Sequence, residues 1–195
     1  MMLRSFIAIE IPPTIQDAIS CQTESLKGNF PTPSIRWVPS NNIHLTLKFL
    51  GETSPQNIDQ LARSLEIEIN QIEPFSIPFS ETGIFPNVRK PRIIWIGLSH
   101  SPKLVIIHKL IESVTATFGF KREERSFSPH ITLGRVNEIF PALNYKKLLE
   151  DIRSIDISII EELEVKSVTI FKSDLKPKGP IYTAIHSIPF NKMIH

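Results

Sequence analysis

Two tetrapeptides carry the residue types that could do chemistry. His44-Leu45-Thr46-Leu47 lies in the first half and His130-Ile131-Thr132-Leu133 in the second. In an extended strand, residues i and i+2 share one face while i+1 and i+3 share the other. Each copy would therefore show an imidazole and a hydroxyl on one side and anchor two aliphatics in a core. Two such strands facing one groove would offer two histidines and two hydroxyls, the equipment for metal-free general acid–base chemistry on a phosphate ester. Histidine suits both roles because its ordinary pKa of about 6.5 keeps the neutral and protonated forms accessible near neutrality. The threonines can donate hydrogen bonds to non-bridging oxygens, where negative charge must be held.

A single His-x-Thr arises easily by chance, but a second copy with the same aliphatic spacing does not, given only six histidines in the chain. The other four, His100, His108, His186 and His195, lack this context and read as non-catalytic. Alternation puts Lys48 on the His44 face, where it can approach a phosphate or end as an exposed lysine. Arg135 falls on the face opposite His130 and reaches a substrate only if the strand bends near Gly134; otherwise it pairs behind the sheet. Phe49 is expected in the core and Phe127 is a candidate for stacking on a base. Arg89, Lys90, Arg92, Lys121, Arg122 and Arg125 could guide an RNA backbone or simply face solvent.

The elements that must position these residues can be read along the chain. A buried strand over 4–9 is stopped by Pro12-Pro13, and a helix over about 13–27 ends near Gly28. An extended piece over 35–38, a turn at Asn41-Asn42 and the first motif strand over 44–50, closed by Gly51, come next. Ser54 caps a second helix with Pro55 at its first position and Ile58, Leu61, Leu65 and Ile69 at helical spacing. Strands are predicted over 75–79 and 92–98, with a basic loop containing Gly83 between them. A third helix follows Ser101-Pro102 to about 118, on Ile107, Leu110, Ile111 and Val114. The second motif strand covers 130–136, a helix 143–152, and a closing strand pair 165–175 and 181–188, separated by residues 176–180.

Composition bounds the rest. At 195 residues, 41% hydrophobic and 22% charged, the chain can bury a substantial core. No repeat or low-complexity linker divides it, so residues 1–195 are expected to form a single domain. A net charge of +2 permits an anionic substrate without suggesting that long duplexes are wrapped. One cysteine, Cys21, excludes an intrachain disulfide or a cysteine metal cluster and fits a reducing compartment. The short apolar run at the start is a strand rather than a signal peptide or membrane span, so a cytoplasmic protein is expected. The element pattern is α+β with mainly antiparallel sheet.

The flanking runs sharpen this. Arg4 to Ile9, Arg36 to Gly51, Gly83-Ile84-Phe85-Pro86-Asn87, Pro129 to Arg135 and Ser173 to Tyr182 accompany the two intact motifs. With them the chain resembles the two-histidine (2H) phosphoesterase superfamily. Within it, the chain is most similar to the RNA 2′,3′-cyclic phosphodiesterases historically called 2′-5′ RNA ligases. The resemblance implies two pseudo-symmetric lobes of antiparallel sheet with outer helices around a central cleft. It implies His44 as proton donor, His130 as proton acceptor, Thr46 and Thr132 as substrate-binding residues, and no metal or other cofactor. It also implies hydrolysis of RNA 2′,3′-cyclic phosphate ends to 2′-phosphate ends, with possible reversal into 2′-5′ ligation. RNA ends or small cyclic-phosphate nucleotides are the expected partners, with no membrane, no stable protein partner and a monomer. The alternatives are hydrolysis of 2′-5′ oligonucleotides or of a cyclic ADP-ribose phosphate, a non-catalytic RNA-binding module, and a metal-dependent hydrolase. The last would need carboxylate or histidine ligands that neither motif supplies.

Overall fold

In the computed structural model, residues 2–30, 34–87, 89–177 and 179–191 are described. The chain opens with β1 (Leu3–Glu10), whose Phe6 to Ile9 are buried, and Pro12-Pro13 turn it into α1 (Pro13–Asn29). Short β2 (Ile35–Trp37) and a 3₁₀ turn (Ser40–Asn42) lead into the first motif strand, β3 (His44–Thr53). Helix α2 (Pro55–Ile69) begins as expected: the Ser54 side chain accepts a hydrogen bond from the Asn57 backbone N–H. It buries Ile58, Leu61, Ala62, Leu65 and Ile69. Strands β4 (Phe75–Ile77), β5 (Phe79–Phe85) and β6 (Ile93–Leu98) precede α3 (Pro102–Thr117), capped by Ser101. Then come β7 (His130–Val136), α4 (Tyr145–Arg153), β8 (Leu163–Val165), β9 (Ser167–Lys176) and β10 (Gly179–Pro189).

Three elements depart from the sequence reading. The first motif strand is not closed by Gly51 but runs through it to Thr53, with Gly51 opposite Ser5. Gly83 lies inside strand β5, not in a loop. A Cβ at this position would overlap the Trp95 ring of the neighbouring strand, so glycine is what lets that indole lie flat on the sheet. Short β8 was not expected; it pairs with β4 in a separate two-stranded sheet. Lys178 of the closing turn and His195 lie outside the described residues.

The main sheet has eight strands in the order β10-β9-β1-β3-β7-β6-β5, with β2 also paired to β7. Every pairing among the described strands is antiparallel. The order β9-β1-β3 is mirrored by β5-β6-β7, and the two halves meet at one residue pair, Leu45 opposite Ile131. A pseudo-twofold axis therefore runs between the two motif strands. Both strands also carry the same irregularity. The ladder between β1 and β3 skips Leu47, and that between β6 and β7 skips Leu133. Such a bulge shifts the alternation by one residue. In both strands the buried positions are the second, fourth, fifth and seventh of the motif run. Apolar residues from both halves join one buried cluster, with Leu45 and Ile131 fully enclosed at its centre.

Candidate active site

The central register fixes the site. Extended by one residue from the Leu45–Ile131 pair, it sets His44 across from Thr132 and Thr46 across from His130. The leucines and isoleucine between them face the core, so the two histidines and two threonines stand on the opposite face. Sheet alternation, anchored by burial on one side, is what turns them toward a shared cleft.

The two imidazoles are held alike. His44 Nδ1 lies 2.8 Å from the Asn42 carbonyl oxygen, and His130 Nδ1 lies 2.8 Å from the Ser128 carbonyl oxygen. A carbonyl can only accept, so each Nδ1 carries the hydrogen and each Nε2 is left for chemistry. Aromatic rings steady both. His44 packs in a triangle of rings with Phe6 (centroids 4.8 Å apart) and Tyr182 (5.2 Å, nearly perpendicular), which also meet each other at 5.0 Å. His130 meets Phe85 edge-on at 5.0 Å, with Trp95 behind at 6.4 Å. Burial pushes His44 below the ordinary imidazole value; its hydrogen bond to Asn42 opposes this, and the positive charge of Arg135 adds to it. Burial raises the Tyr182 phenol, so it stays protonated at neutral pH. Among the described residues, no protein group engages the Thr46 or Thr132 hydroxyl.

The bulges correct three expectations drawn from uninterrupted alternation. Lys48 does not face the His44 side. It is buried behind the sheet, 2.7 Å from Glu112 Oε1 of α3. Phe49 is not in the core; it is turned to the open face and 70% exposed. Arg135, the counterpart of Phe49 in the second strand, shares the His130 face because Leu133 is skipped, and its charge is felt by His44 and Tyr182.

The remaining expectations divide plainly. Phe127 stacks on His108 at 4.0 Å, so it packs against α3. His186 pairs with Asp59 on α2 at 2.8 Å, and His100 is exposed. Arg89, Lys90, Lys121, Arg122 and Arg125 are exposed, while Arg92 pairs with Glu138 at 3.0 Å. Residue-by-residue reading had given no role to Phe6, Phe85, Trp95 or Tyr182 as supports for the histidines. Tyr182 belongs to a strand end 138 positions from His44, a proximity that only folding creates. Among the described residues, no group of three or more His, Cys, Asp or Glu side chains is placed to hold a metal ion.

A duplicated α+β scaffold with a histidine and a threonine from each half at its centre defines a phosphoesterase built on two-histidine strands. The chain belongs to the LigT-like phosphoesterase family, whose model matches residues 9–95 and again residues 96–182. The chain is 35% identical to the RNA 2′,3′-cyclic phosphodiesterase of Methanocaldococcus jannaschii, over 94% of this chain and 98% of that protein. It is 34% identical to the protein of the same name from Thermotoga maritima, over 96% of each. The crystal structure of Escherichia coli LigT in apo form superposes with a TM-score of 0.71 at 25% identity, covering 98% of this chain and 99% of that one.

Proposed function

We propose that this chain hydrolyses RNA 2′,3′-cyclic phosphate ends to 2′-phosphomonoester ends, with the two halves working as one catalytic unit. The observation that carries the reading is the matched pair of imidazoles on the two central strands: each has Nδ1 tied to a backbone carbonyl, which leaves Nε2 available. The family and the names of its relatives supply the substrate class.

In this scheme water attacks phosphorus in line with the 3′ ester oxygen. His130 takes the proton of the water as the new P–O bond forms. The P–O3′ bond breaks, and His44 gives its proton to the departing 3′ oxygen. Thr46 and Thr132 donate to the non-bridging oxygens, whose charge grows in the transition state. A 5′-hydroxyl in place of water would leave a 2′-5′ linkage by the same route.

The donor role of His44 has an electrostatic condition. Its buried site disfavours the imidazolium in the free protein. A phosphate anion placed beside it favours the charged form. Substrate binding thus loads the acid that the reaction needs. The site is complete within one chain, consistent with a monomer, and a lone exposed cysteine suits the cytoplasm. No helix among the described residues is long and apolar enough to cross a membrane. The test is incubation with a short RNA ending in a 2′,3′-cyclic phosphate and identification of the product end. A 2′-phosphate is expected; an untouched end, or a 3′-phosphate, counts against the scheme.

A further inference from the structure

The carbonyls that orient the two imidazoles are themselves held in different ways. In the second half, Phe127, the residue before Ser128, stacks on His108 at 4.0 Å. In the first half the residue that supplies the carbonyl also supplies an anchor. The Asn42 side chain donates to the Pro180 carbonyl oxygen at 2.9 Å, while the Asn42 carbonyl lies 2.8 Å from His44 Nδ1. A carbonyl only accepts, so the NH2 of the amide is the end that faces Pro180. The backbone bonds of this turn, from Asn42 N–H to the Pro39 carbonyl and from Ile43 N–H to the Ser40 carbonyl, close it within itself. The Asn42 side chain is what ties it to a distant segment.

That segment is the end of the β9–β10 hairpin. The ladder between β1 and β9 runs from Ala8 opposite Thr169 to Ser5 opposite Lys172, whereas the ladder between β9 and β10 continues to Gly179 opposite Lys176. The hairpin end therefore projects past its pairing with β1, and Leu175 and Ile181 near its tip are exposed. A projecting pair of strands keeps conformational freedom unless side chains tie it down. Tyr182 does so by packing on Phe6 and His44, and Pro180, two residues earlier, does so by taking the Asn42 amide. The contacts close a circuit from His44 to the Asn42 carbonyl, from the Asn42 amide to Pro180, and from Tyr182 back to His44. We infer that Asn42 is a positioning residue for the proton donor: its amide latches the hairpin to the turn before β3, and so fixes both the carbonyl that orients His44 and the ring that packs against it. The latch rests on the phosphodiesterase reading and deepens it. Because the Asn42 amide is spent on Pro180, its loss falls on the chemical step and not on substrate binding.

The test measures single-turnover rates and KM on a short RNA ending in a 2′,3′-cyclic phosphate, for the unmodified protein, Asn42→Ala, His44→Ala and the double variant. Asn42→Ala should lower the rate about 10- to 100-fold, between the worth of one hydrogen bond and the cost of a misplaced reacting group, with KM changed less than about twofold. On the His44→Ala background the same change should cost less than about twofold, because the residue acts through the imidazole. Asn42→Asp keeps the size of the side chain but sets a carboxylate against the Pro180 carbonyl. It should lose as much as Asn42→Ala, and it reads the latch should the alanine variant fail to fold. A near-normal rate in either folded variant, a change confined to KM, or the same loss with and without His44 would overturn the latch and leave the phosphodiesterase reading in place. A cyclic end left untouched by the unmodified protein would overturn both.

Discussion

The Lys48 ammonium lies 2.7 Å from Glu112 Oε1 and 2.8 Å from Glu112 Oε2, joining the first motif strand to helix α3 of the other half. The same ammonium donates to the Lys121 carbonyl at 2.7 Å, and Glu112 accepts from the Glu123 backbone N–H at 3.0 Å. Residues 118–129 are thereby pinned at their start. Their far end supplies the Ser128 carbonyl that orients His130. A lysine four residues after one histidine thus steadies the loop that presents the other.

Removing one member of this pair leaves the other charged and buried. Lys48→Ala should lower the free energy of unfolding by about 3 kcal/mol, the usual cost of breaking a buried pair. Lys48→Met combined with Glu112→Leu should cost clearly less than the sum of the single changes, because neither charge is then stranded. Urea titrations of the four proteins in that cycle measure it. Additive losses would mean that the two groups do not act on each other.

The ring of Tyr182 should matter more than its hydroxyl. The ring packs nearly perpendicular to His44, while the phenol is held protonated by burial. Tyr182→Phe should keep most of kcat. Tyr182→Ala frees the imidazole to turn and should lower kcat by about 10²-fold, the order expected when a reacting group is misplaced by an ångström. Equal losses in both variants would assign the role to the hydroxyl instead.

The depressed pKa of His44 has a signed consequence. As the proton donor, His44 must be charged, so activity is lost as pH rises through its pKa. Its lowered pKa should put one limb of kcat/KM, which reports the free enzyme, below the ordinary value of 6.5. The limb in kcat should lie higher, since a bound phosphate anion favours the imidazolium. Profiles of both constants from pH 5 to 9 decide this. An alkaline limb of kcat/KM lying above that of kcat would contradict the donor assignment.

Chelation separates this scheme from a metal-dependent hydrolase. Among the described residues no cluster of donor side chains is built to hold an ion. Turnover should therefore survive dialysis against EDTA. Loss on chelation, restored by zinc or manganese, would require ligands that the motif strands do not offer.

Much of this was legible in the residues. The second motif strand runs over 130–136 as its alternation indicates, and the Ser54 and Ser101 caps start helices where Pro55 and Pro102 follow them. Chemistry-bearing types at strand spacing pointed to the cleft. What failed was the assumption that alternation continues unbroken. The skipped Leu47 exchanged the faces of Lys48 and Phe49, and the skipped Leu133 brought Arg135 around to the histidine side. A bulge is set by the neighbouring ladder, and that partner is not visible within the strand. Gly83 misled for a related reason: its small size reflects an indole on the next strand, not a turn. The contacts of Tyr182 with His44 and of Asn42 with Pro180 join distant segments. No local spacing encodes them.

The most direct test is single-turnover hydrolysis of an RNA 2′,3′-cyclic phosphate by the unmodified protein, His44→Ala, His130→Ala and the double variant. A positioned acid or base contributes about 10²–10⁴-fold. Each single variant should lose at least that much, with folding retained because both side chains project into the cleft. The double variant should lose far less than the product of the two, since donor and acceptor act as a unit. Near-normal hydrolysis by either single variant would contradict the two-histidine account.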